Sequence, residues 1–69
     1  MAEEYQDDVL IEMIQVGNSV KVTAVDPVTG IEVSIVGAPT VGEETLKRNA
    51  VNKLNYVLRK GGGHGPART

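Results

Sequence analysis

The 69 residues carry a net charge of −2, no Cys, Phe or Trp, and only two aromatic side chains, Tyr5 and Tyr56. That composition excludes a disulfide framework and a thiolate zinc site, and it leaves an aliphatic core filled mainly by valine, which favours strands. A chain of this size forms one domain at most and buries only about 60% of its unfolded surface, so its stability is expected to be marginal.

No run is basic and apolar enough for a signal peptide. None approaches the roughly 20 apolar residues of a membrane span, so a cytoplasmic location is expected. Charge is unevenly distributed. Glu3, Glu4, Asp7, Asp8 and Glu12 make the start acidic, whereas Lys47, Arg48, Lys53, Arg59 and Lys60 make the last apolar-periodic segment basic.

In chain order, residues 1–6 are polar and acidic and are expected to be a mobile arm outside the sheet. The first strand is predicted over about 9–16, bounded by Asp7 and Asp8 on one side and by Gly17 and Asn18 on the other, all turn-favouring residues. The second strand, about 20–26, reads VKVTAVD. It alternates Val20, Val22 and Ala24 with Lys21, Thr23 and Val25. A two-residue loop at Gly17 and Asn18, with positive φ at the glycine, pairs Met13 with Val22 and Ile11 with Ala24, whereas a loop at Asn18 and Ser19 shifts the register by two residues and leaves the same side chains on the same faces.

Asp26-Pro27-Val28-Thr29-Gly30 is the clearest local turn signal, carried by its Asp, Pro and Gly. Asp accepts from backbone N–H groups ahead of it, Pro presets φ, and Gly takes the left-handed position. It sets Ala24 opposite Val33 and Val22 opposite Ile35, with the third strand over about 31–37. Both turns then agree: Ile11, Met13, Val20, Val22, Ala24, Ile31, Val33 and Ile35 share one face, and Glu12, Lys21, Thr23, Glu32 and Ser34 share the other.

Pro39 ends the sheet region, and a helix is predicted over about 42–60. It is capped by Thr40 with Glu43 or by Gly42, and Gly61 stops it. At 100° per residue, Leu46, Ala50, Val51, Leu54, Val57 and Leu58 fall within an arc of about 140°, the width of a helix lying on a sheet. The predicted architecture is therefore α+β. A three-stranded antiparallel meander carries one C-terminal helix on one face, residues 1–60 form a single βββα domain, and residues 61–69 form a disordered tail.

Catalysis needs a nucleophile and a base within reach of each other on ordered structure. The single histidine, His64, lies in the expected tail, and neighbouring carboxylates such as Glu43 and Glu44 diverge in regular structure. No enzymatic activity, cofactor or metal is therefore expected. The triple glycine follows a helix where a phosphate-binding loop must precede one.

Two surfaces remain. Alternation points Leu10, Ile14, Val16, Val25 and Val36 outward from the sheet with no element to cover them, which predicts a protein interface, most simply a weak homodimer. Lys47, Arg48, Lys53, Arg59 and Lys60, beside Asn49, Asn52 and Asn55, form the candidate anion or nucleic-acid face.

VGNSVKVTAVDPVTGIEVSIVG followed by LKRNAVNKLNYVLRK resembles a family of short uncharacterised alphaproteobacterial proteins with the order hairpin, hairpin, helix. Its members are filed as a domain of unknown function and sometimes carry the name serine hydroxymethyltransferase, although a chain this short does not hold a pyridoxal phosphate fold. The resemblance implies a fold and no catalytic residue. The βββα order, with Ala50 and Leu54 on the helix core face, is also similar to the later part of a double-stranded RNA-binding domain. There the helix opens with paired lysines that grip phosphate, where this chain has Glu43 and Glu44.

Overall fold

The computed structural model describes the backbone of residues 2–6 and 8–61 and the side-chain surroundings of residues 8–60. The turn chemistry of the sequence reappears in it atom by atom. Gly17 has φ 60 and its neighbour Asn18 does not enter the positive region. Val16 pairs with Ser19 across this two-residue loop, and the register runs back through Met13 opposite Val22 and Ile11 opposite Ala24.

At the next turn the Asp26 carboxylate accepts from the Val28 N–H at 3.4 Å, the Thr29 N–H at 3.3 Å and the Thr29 hydroxyl at 2.8 Å. The Gly30 N–H returns to the Asp26 carbonyl at 2.7 Å with Gly30 at φ 80. Gly30→Ala should cost about 1–2 kcal/mol, the penalty of a Cβ in left-handed backbone. Nothing lies within 4 Å of where that Cβ would stand, so urea unfolding of the variant reads backbone strain alone.

These turns join β2 (Val9–Val16), β3 (Ser19–Val25) and β4 (Glu32–Gly37) into the expected antiparallel meander. The first residues depart from expectation. Instead of a mobile arm, Ala2–Gln6 form a fourth strand, β1, antiparallel to β2 from Ala2 opposite Met13 to Gln6 opposite Val9. The sheet order is β1-β2-β3-β4. Pairing on an unsatisfied strand edge outweighs the poor strand propensity of Ala-Glu-Glu. Asp8, at φ 66, closes the connection because a short polar side chain tolerates that region.

After β4, Pro39–Val41 make one 3₁₀ turn, with the Val41 N–H on the Ala38 carbonyl at 3.0 Å. Gly42, at φ 102, then offers its carbonyl to the Leu46 N–H at 3.1 Å. Of the two expected caps, Gly42 opens the helix. Helix α1 runs Glu43–Gly61, with Glu43 and Glu44 in its first turn and Arg59 and Lys60 in its last, as the macrodipole favours. Gly61 is the last helical residue rather than the first beyond it. Residues 62–69 of the expected tail, including His64, lie outside the described residues.

The helix lies on the inner face, against β3 and β4. Ile11, Val22, Ala24, Ala50 and Leu54 are fully buried, and Val9, Leu46 and Val51 nearly so. Met13, Val20, Ile31, Val33, Ile35 and Leu58 pack around them. The protein is thus α+β, an open antiparallel sheet with one C-terminal helix on one face.

Candidate interaction surfaces

The outer sheet face is built in rows by the register. Glu12, Thr23 and Ser34 lie side by side across β2, β3 and β4, and the hydroxyls of Thr23 and Ser34 are 2.8 Å apart. This polar row divides the five apolar side chains expected to form one patch.

On one side, Leu10 and Val25 are neighbours and only half-exposed, with Glu32 next in their row. On the other side, Ile14, Lys21 and Val36 form a row, and Val16 stands one step along β2 from Ile14. Here the exposure is real: 40% for Ile14, 60% for Val16 and 66% for Val36. Strand spacing and rise place Ile14 about 7 Å from Val16 and about 10 Å from Val36, with the Lys21 stem between. The apolar surface is therefore concentrated at the β2–β3 turn end. Beside it a shallow open groove of about 360 Å³ is lined by Met13, Ile14, Val20, Pro39, Glu43 and Leu46 together with Gln15.

The five cations expected to share one helix face do not. Lys47 is buried, only 6% exposed, and its ammonium meets the exposed Glu44 carboxylate at 3.3 Å. Its position explains this. Seven residues before Leu54, it lies within about 20° of Leu54 around the helix, inside the apolar arc. The stem runs along the core and the charge emerges at the rim, as long cationic side chains allow. That angle was the signal in the sequence.

Lys53 is exposed and donates to the Ser34 carbonyl at 3.0 Å. The Lys60 ammonium lies 5.7 Å from the centroid of the half-exposed Tyr56 ring, a cation–π distance. Only Arg48 and Arg59 share the outermost stripe with Asn52 and Asn55, and eleven residues of helix rise separate them by about 16 Å.

Among the described residues, no group of three or more His, Asp or Glu side chains is placed to hold a metal ion, and no helix is long and apolar enough to cross a membrane. Neither the curated proteins nor the solved structures offer a significant match. A family model described as a domain of unknown function, DUF6898, matches residues 6–61, from the end of β1 to the end of α1. The match spans both hairpins and the helix, and by it the chain belongs to the DUF6898 family.

Proposed function

We infer that this chain is a non-catalytic, cytoplasmic interaction module that associates weakly with a second copy through the outer face of its sheet. The observation that carries the reading is the joint exposure of Ile14, Val16 and Val36 at one end of that face. The single helix is committed to the opposite face. A face-to-face pair of sheets about 10 Å apart buries such side chains, and a two-fold copy is the commonest way to supply the second sheet. Each side chain buried contributes on the order of 1–2 kcal/mol before association entropy is subtracted, which supports weak to moderate affinity rather than a permanent dimer.

Sedimentation of the wild-type chain should show concentration-dependent dimerisation, and Ile14→Lys should sediment as a folded monomer. The substitution adds a charge at an exposed strand position, so stability should stay within about 0.5 kcal/mol. A wild-type chain that remains monomeric at high concentration would overturn the reading.

The competing reading, a nucleic-acid grip by the helix, finds less support. Its cations occupy separate surroundings, and one of them is buried in an ion pair. Phosphate contacts weaken steeply with salt, so a gel shift at low salt is where any such binding would appear.

A further inference from the structure

The bond from Lys53 to Ser34 acquires a meaning once the ladder of β4 is followed. The Asp26 N–H donates to the Ile31 carbonyl at 2.9 Å, so the pair next to the turn is hydrogen-bonded. Bonded and non-bonded pairs alternate along an antiparallel ladder. Val33, Ile35 and Gly37 therefore direct their N–H and C=O groups at β3. Glu32, Ser34 and Val36, opposite Val25, Thr23 and Lys21, direct theirs away from the sheet. The close approach of the Thr23 and Ser34 hydroxyls fits a non-bonded pair, in which facing side chains are nearer.

β4 is the last strand of the sheet, so these six groups line an edge that no described strand covers. Such an edge is a template for another strand. Its middle residue is Ser34, and it is the Ser34 carbonyl that Lys53 takes from across the helix.

We propose that the outward edge of β4 is a strand-pairing surface for β4 of a second copy of this chain, and that Lys53 holds it shut. The partner follows from the register. A two-fold axis at Ser34 sets Ser34 against Ser34 and Glu32 against Val36. These are the residues whose N–H and C=O groups point outward, so all of them would be satisfied. On the inner side the same axis sets Val33 against Ile35, both half-buried at the margin of the core.

Lys53 blocks this joint twice. Its ammonium already holds the carbonyl that the central pair needs as an acceptor and competes with an incoming N–H for it. The two-fold axis also brings both ammonium groups to the same paired residues, within about one Debye length of each other at physiological salt. The edge is open in backbone geometry and closed by a single side chain from the helix.

The test uses the full chain carrying Ile14→Lys, so that association through the outer face does not contribute. In that background Lys53→Ala should dimerise at least about tenfold more tightly by sedimentation, the scale set by one charged hydrogen bond. Amide hydrogen exchange at Glu32, Ser34 and Val36 should slow as the dimer forms. Lys53→Met keeps the aliphatic stem and removes only the charged donor, so it should behave like Lys53→Ala. Lys53→Arg retains a cationic donor and should stay with the parent. The proposal is overturned if both neutral variants sediment as the parent does. It is equally overturned if they associate while those three amides exchange at the parental rate, or if Lys53→Arg associates as strongly as Lys53→Ala.

Discussion

Leu54→Ala should destabilise the protein by about 2–5 kcal/mol, the range for removing a buried leucine, and leave little of a domain this small folded at ambient temperature. Leu54 is fully buried at the middle of the helix and is among the largest side chains wholly removed from solvent, with Ile11 and Val22. The sheet side of the core is mostly valine and isoleucine, stiff at χ1, with Met13 the one flexible side chain at its margin, so the vacated volume is poorly refilled. The control is Asn52→Ala on the exposed side of the same helix, which should be neutral or slightly stabilising because alanine is the better helix former. Urea denaturation of both variants decides the matter. Equal losses would mean that Leu54 does not carry the contact between helix and sheet.

The second large effect is expected at a residue with no side chain. A Cβ built on Gly37 would stand 2.5 Å from Leu46 Cδ2, closer than real Cβ contacts come. Gly37 pairs with Val20 at the inner end of β4, and its bare backbone is the seat into which the buried Leu46 folds. Its backbone is not in the left-handed region, unlike that of Gly17, Gly30 and Gly42, so any cost arises from packing alone. Gly37→Val should cost about 1–3 kcal/mol by overpacking, with Gly37→Ala below it because the Leu46 methyl can swing aside.

A double-mutant cycle isolates the contact. In a Leu46→Ala background Gly37→Val should lose much of its penalty, since the atom it meets is gone. An unchanged penalty there would assign the effect to something other than Leu46.

How much of this architecture is legible in the sequence depends on how far apart the deciding residues stand. The two turns following β2 and β3 are written within four or five residues each, in Gly17-Asn18 and in the Asp26 to Gly30 segment. The second turn sets its register by backbone chemistry that needs no other part of the chain, whereas the first allows a loop at Gly17-Asn18 or one residue later, and the structure selects Gly17-Asn18. Face assignment along β2, β3 and β4 follows from the two-residue period, and the helix core face from the arc through Leu46, Ala50 and Leu54. The same arc contained Lys47, whose charge suggested a surface role while its angle placed it against the core.

The features decided only by tertiary structure join residues that local pattern cannot connect. Ala2–Gln6 become a strand because the edge of β2, assembled elsewhere in the chain, offers unpaired backbone groups. Lys53 reaches Ser34 across 19 residues, and Leu46 settles over Gly37, only once the helix has docked. Local hydrogen bonding and side-chain period are fixed by neighbours along the chain, and so the sequence alone determined turns, faces and helix phase. Edge, burial and close approach are properties of the space between elements, which exists only after they have packed.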